Sequence, residues 1–438
     1  MATIKPFKGY RYNSNKIENL GLVMAPPYYA IADEMKIGLY ELHENNAVRL
    51  TAGMNYENDT EQNNCYTRAK TYIEDWISND VLVRENTDAI YMYEQTVTMN
   101  ETQYSNKGFV ALLKLEEFSK NGVMPCEETV STAEQDRFQL TDTIGANVSM
   151  INCMYVDNEK QLANIINELS EEAPDMEFTT PSGIQQRVWV ITYPPTISFI
   201  VEHLKDKSLY ITDERGNYTA CLEYQKKMKA QNPGHTGEEE YNYTMVLLSS
   251  ADEDGMVLLP VHRQVKCPKG FREEYFVAGA QDHFKVEKII VDTDEEELLE
   301  TMRKQIATTR KETRIAFYCG SNYFYRLTLQ DREHVKQVCP DKSEAYCNLD
   351  VAVLNKLIFE DLLHIDHENY RERVQITLSS HQGLRNVKDG EFDCLFLLNP
   401  VKTNQISDVV MSGEKMPEDS ISIFPKPSTG VVIHKLTD

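Results

Sequence analysis

The sequence predicts a mixed α/β fold, with α+β as the alternative, and three local patterns lead there. Val188, Val190 and Ile191 form a short β-branched run that reads as a buried strand. After Pro194 and Pro195, Ile197, Ile200, Val201 and Leu204 recur at helical spacing. Leu209, Tyr210 and Ile211 then make a second short strand, which runs into the polar turn Thr212 to Asn217 and a helix beginning near Tyr218. Residues Val188 to Met228 thus read as a compact βαβα unit. A polar turn between a strand end and a helix start exposes free backbone N–H groups, and ligands are commonly placed there.

The elements on either side fit that class. In residues 1–150, helices are expected over Ala32 to Leu42 and through Tyr66, Ala69, Ile73, Trp76 and Ile77. Strands are expected over Val81 to Val83, Ile90 to Val97 and Phe109 to Leu115. The central region, 151–265, adds strands over Tyr243 to Leu248 and Gly255 to Pro260, with Ser249 to Asp254 as a solvated acidic turn. In the last region, 266–438, Thr293 and Glu296 suggest a capping box before a helix with Leu298, Leu299, Met302 and Ile306 on one face. Arg314 to Cys319 and Tyr323 to Leu329 read as paired strands around Gly320-Ser321-Asn322. Leu349 to Leu363 reads as an amphipathic helix. Val374 to Leu378, Gln382 to Val387 and Asp393 to Leu398 form a βαβ-like run, and Thr429 to Lys435 a final edge strand.

Charge narrows the function classes. Forty-five Lys and Arg against 69 Asp and Glu give a net charge of −24. Such a surface repels nucleic acid and anionic membranes, so neither is an expected partner, and no protein partner is indicated. The 9 cysteines include no C-x-x-C pair and no zinc spacing, so reduced thiols, a cytoplasmic setting and no metal site are expected. His364 and His367 lie three apart but lack a third ligand.

The stretch LYITDERGNYTACL, together with KPFKGYRYN, MAPPYYAI, MPCEET, TIGAN, LLPVHR, FLLNP and MPEDSISIFPKPSTGVV, resembles domain-of-unknown-function family 1015. The resemblance implies a distant kinship with the ParB/sulfiredoxin-like fold, whose relatives include nucleotide-using phosphotransferases, free-serine kinases among them. Asp213 and Tyr218 agree with the family signature, but its Gly-His-His-Arg is replaced by Glu214-Arg215-Gly216-Asn217. A family histidine and arginine are missing around Cys126-Glu127-Glu128-Thr129, and Tyr29 stands where the family has an aspartate.

Two functions follow. The first is a degenerate nucleotide- or small-metabolite-binding module, a pseudoenzyme that has kept the pocket. The second is a nucleotide-dependent phosphotransferase acting on a small metabolite. Its candidate catalytic residues are Asp213, Glu127 and His262, the first two as bases and the histidine as acid or base. Arg215, Asn217, Tyr218, Arg263, Thr129 and Lys426 are the candidate substrate- or phosphate-binding set. The cofactor that the resemblance allows is ATP or ADP with Mg²⁺. The bland readings are capping of the helix by Asp213 or Asn217, and ordinary strand-end hydrogen bonds for His262 and Arg263.

Overall fold

Asn64 begins the helix Cys65–Ser78 by accepting from the N–H groups of Tyr66 and Thr67, while the Thr67 hydroxyl accepts from Asn64. Ala69, Ile73 and Trp76 face inward, as their spacing predicts. The computed structural model describes residues 2–99, 101–119, 122–127, 134–251, 256–292, 294–307 and 312–437. It is a mixed α/β structure in two compact units. The first comprises Met1–Pro125, Val130–Val257 and Phe424–Asp438, and the second Cys126–Thr129 and Leu258–Ile423. The three consecutive regions expected from the sequence divide the chain differently. Leu209–Ile211 of the expected central region lies in the first unit and His262–Val265 in the second.

The first unit is built on a nine-stranded mixed sheet. From one edge its strands are Val123–Pro125, Leu209–Ile211, Ile151–Tyr155, Tyr243–Ser250, Thr102–Lys114, Ile90–Met99, Gln185–Ile191 and Met176–Thr179, with Ile4–Lys5 also on Thr102–Lys114. Alternation along Ile90–Met99 sends Tyr91 and Tyr93 to one apolar core and Ile90 and Met92 to another, so both faces are covered. The expected βαβα order is present as Gln185–Ile191, Pro194–Lys205, Leu209–Ile211 and Arg215–Gln231. Its two strands are not neighbours, however, because four other strands lie between them in the sheet. The helix Pro194–Lys205 therefore connects two strands that do not pair with each other. Pro194 and Pro195 open that helix, where a missing N–H costs nothing.

The expected final edge strand is shorter than predicted. His434–Lys435 pairs with Ala146–Asn147, while Val431, Val432 and Ile433 are completely buried.

The second unit holds a six-stranded antiparallel sheet in the order Phe284–Ile290, Tyr323–Leu329, Arg314–Tyr318, Cys394–Leu397, His262–Val265, Val374–Thr377. The predicted Arg314/Tyr323 hairpin is present. The βαβ-like run is a split one: Val374–Thr377 and Cys394–Leu397 flank His262–Val265. Residues Leu349 to Leu363 do not form one regular helix. Asp350–Val353 is α-helical and Leu354–Leu362 π-helical. The helix Glu295–Ile306 is capped by Asp294, which accepts from Glu297 N–H. Thr293 and the acidic residues Asp252 to Asp254 lie outside the described residues.

Candidate functional site

In the first unit, the strand Leu209–Ile211 ends in Thr212-Asp213-Glu214, and the helix Arg215–Gln231 follows at once. Asp213 is not the helix cap. Its Oδ1 accepts from Glu214 N–H at 2.9 Å, and its Oδ2 accepts from Lys426 Nζ at 2.6 Å and from the Tyr29 hydroxyl. The Lys426 ammonium also lies 5.8 Å from the Tyr29 ring centroid. This lysine comes from the C-terminal segment, so the tail is tied directly to the signature turn. Tyr29 replaces the family aspartate and supplies a neutral donor where a second carboxylate would repel Asp213.

Glu214 occupies the cap position with φ +62, a left-handed conformation that few non-glycine residues adopt. Its side chain is buried. Oε2 accepts from Asn217 Nδ2 at 2.7 Å, whereas Oε1 has no hydrogen-bond partner among the described residues. Burial, then the neighbouring Asp213 charge, pushes the Glu214 carboxyl up to about 8, against the opposing pull of Arg137 and Lys426. Asn217 also donates to Ser149 Oγ at 3.1 Å, which fixes its amide under Glu214. Gly216 lies inside the helix and is buried, so it offers no backbone approach to a ligand.

Arg137 is the buried cation of this neighbourhood, at 5% exposure. It donates to Thr51 O at 3.0 Å and to Asp136 Oδ2, and its guanidinium lies 3.8 Å from the Tyr28 ring centroid. Asp136 also accepts from the Tyr66 hydroxyl at 2.6 Å. Burial works against its charge, but Arg137 and the hydrogen bonds outweigh it and hold the carboxyl below its ordinary range. These groups line a cavity of about 210 Å³ formed by Tyr28, Lys36, Cys65, Tyr66, Asp136 and Arg137 among others. Neither Lys36 nor Tyr66 stands out as functional in the sequence. The adjacent Asp136-Arg137 pair is visible there, but nothing in its spacing marks it as buried.

The remaining expected residues have other surroundings. Tyr218 is completely buried, and its hydroxyl donates to Glu116 O at 2.9 Å, so it belongs to the core and not to a phosphate site. Arg215 lies 5.8 Å from the Phe118 ring centroid. In the second unit, Arg263 is fully buried in the strand His262–Val265. It donates to Tyr370 Oη, to Val261 O and His262 O, and to Asp419 O and Glu418 O, which leaves no donor for a phosphate. His262 accepts from Leu398 N–H at Nδ1, and burial lowers its pKa to about 3, so the ring is neutral. Glu127 Oε1 accepts from the N–H groups of Ser420 and Ile421 at 2.8 and 2.6 Å and clamps that segment. Thr129 lies outside the described residues. The structure therefore brings Asp213, Asn217 and Lys426 together in the first unit, while Glu127, His262 and Arg263 belong to the second.

A family model described as "protein of unknown function (DUF1015)" matches residues 4–352. The chain belongs to that family. The match includes the signature turn and ends before Lys426. No curated protein matches the chain in sequence. Among solved structures, this DUF1015 member is similar to a conserved hypothetical protein from Pyrococcus furiosus, with 10% identity, a TM-score of 0.32, and coverage of 74% of this chain and 98% of that one. It is also similar to a free serine kinase in complex with AMP, with 12% identity, a TM-score of 0.33, and coverage of 72% and 90%. A third is SbnI with C-terminal truncation from Staphylococcus aureus, with 9% identity, a TM-score of 0.34, and coverage of 72% and 84%. Among the described residues, no helix is long and apolar enough to cross a membrane, and no group of three or more His, Cys, Asp or Glu is placed to hold a metal ion.

Proposed function

We propose that this chain is a small-metabolite-binding module whose ligand occupies the first-unit cavity lined by Tyr28, Lys36, Asp136 and Arg137, two of which, Tyr28 and Arg137, interact with Glu214. One observation carries the reading: Glu214 is buried, held at positive φ, and keeps one carboxyl oxygen without a partner. Strain and an unsatisfied buried acceptor at one residue are typical of binding and catalytic sites and uncommon elsewhere. Arg137 and Tyr28 line the cavity, and both interact electrostatically with Glu214. An amine or hydroxyl donor on the ligand would meet the ionised Asp136, and an acidic group on it would meet Lys36. Free amino acids are the simplest compounds with both.

Size and charge favour this reading over the nucleotide-dependent phosphotransferase. The cavity of about 210 Å³ is smaller than the roughly 300–1,000 Å³ usual for drug-sized ligands. Lys426 is neutralised by Asp213, and Arg137 by Asp136. A triphosphate needs unspent cations, and the arginine expected to grip it, Arg263, has none of its donors left.

Thermal-shift measurements with a panel of free amino acids, ATP, ADP and CTP, with and without Mg²⁺, test the reading on wild type and on Lys36→Ala. At least one amino acid should raise the midpoint, and Lys36→Ala should weaken its binding roughly tenfold. Stabilisation by nucleotides alone, unaffected by Lys36→Ala, would overturn it.

A further inference from the structure

A second cavity in the first unit, of about 300 Å³, has the opposite charge from the rest of the molecule. It is lined by Lys5, Lys8, Arg84 and Lys435 against two carboxylates, Asp88 and Glu240. One carboxylate is already engaged. Glu240 takes a hydrogen bond from Lys5 Nζ at 3.1 Å and another from His434 Nε2 at 2.8 Å. Lys5 is further fixed 3.7 Å from the Tyr243 ring centroid. His434 is itself 3% exposed and packs edge-on against Phe7, so this side of the cavity is a built wall and not a chance grouping of mobile side chains. Lys8, Arg84 and Lys435 form no ion pair with any described residue. On a chain with 69 acidic and 45 basic residues, this cavity gathers three cations that have no ion pair among the described residues.

We infer that this cavity binds the dianionic head group of a small metabolite, a phosphate monoester or a dicarboxylate. With the imidazole neutral, the lining carries two net positive charges, which a dianion would balance. Arg84 supplies a planar fork suited to two anionic oxygens, and Lys8 and Lys435 supply point charges. The Glu240–His434–Lys5 wall holds the floor in place and takes no part in charge recognition. This site is separate from the cavity lined by Lys36 and Arg137, and its failure would leave that reading standing.

Calorimetric titration with inorganic phosphate, glycerol phosphate and malonate tests it on the full chain, and the relative affinities of the last two identify the source of the dianion. Wild type should bind at least one dianion in the micromolar to low-millimolar range, and affinity should fall as salt is raised. Lys8→Ala and Arg84→Ala should each weaken binding roughly tenfold, and Arg84→Lys should recover part of the loss. Both side chains are exposed, and unchanged thermal midpoints without ligand would confirm that the variants fold. Absence of binding in the millimolar range would overturn the inference, as would equal affinity of wild type and the Lys8→Ala/Arg84→Ala double variant, the result expected of an adventitious ion only.

Discussion

Glu214 carries two costs at one position. Its φ of +62 disfavours any residue with a Cβ by roughly 1–2 kcal/mol, and its carboxyl is buried beside Asp213. The raised pKa gives the sign of its pH dependence. The folded carboxyl holds its proton to about pH 8, while the unfolded one releases it near 4.5, so folding takes up a proton between those values. Stability from this group is complete below about 4.5 and is lost as pH rises through 8. Glu214→Gln should therefore remove a slope of about 1.4 kcal/mol per pH unit from the stability curve in that window, measured by denaturant unfolding at several pH values. Identical slopes in variant and wild type would contradict the placement of this carboxyl. The family glycine at this position was a legible hint of positive φ. What the sequence concealed was burial, because an acidic residue in a polar turn ordinarily faces water.

The C-terminal segment shows the same limit among whole elements. Thr429 to Lys435 reads as an optional edge strand, but it is integral to the first unit. Ile433 exchanges two backbone hydrogen bonds with Tyr10 at 2.8 and 2.9 Å, Ser428 Oγ accepts from Gln186 Nε2, and Lys426 reaches Asp213. Ile433→Ala should destabilise the protein by about 2–5 kcal/mol, as expected for a fully buried side chain, and a loss below about 1 kcal/mol in denaturant unfolding would show the segment to be loosely held. Elements with strong local periodicity were legible. The helices Asp33–Leu42, Cys65–Ser78 and Glu295–Ile306 fall within a residue or two of expectation. Thr102–Lys114 was read only from Phe109 onward, because Thr102 to Lys107 is polar and owes its strand conformation to pairing with Ile90–Met99.

Over the whole molecule, the chain separates its charges. Carboxylates are in excess over the whole chain, yet two cations near the signature turn are each spent on a carboxylate, Lys426 on Asp213 and Arg137 on Asp136. The sequence made the changed signature legible. Sheet order was not legible, because it depends on pairings between residues more than a hundred positions apart, such as Tyr243 with Lys114. That order puts the two strands of the βαβα run far apart in one sheet and leaves Asp213 with partners from positions 29 and 426. The choice of a small-metabolite site over a nucleotide site therefore draws on local neutrality as well as on the strained, buried Glu214. Calorimetric titration of wild type with Mg²⁺-ATP, beside the amino acid that gives the largest thermal shift, is its most direct test. The account predicts measurable heat and a saturable isotherm for the amino acid and none for Mg²⁺-ATP up to millimolar concentration. Saturable Mg²⁺-ATP binding at lower concentration, without amino-acid binding, would contradict it.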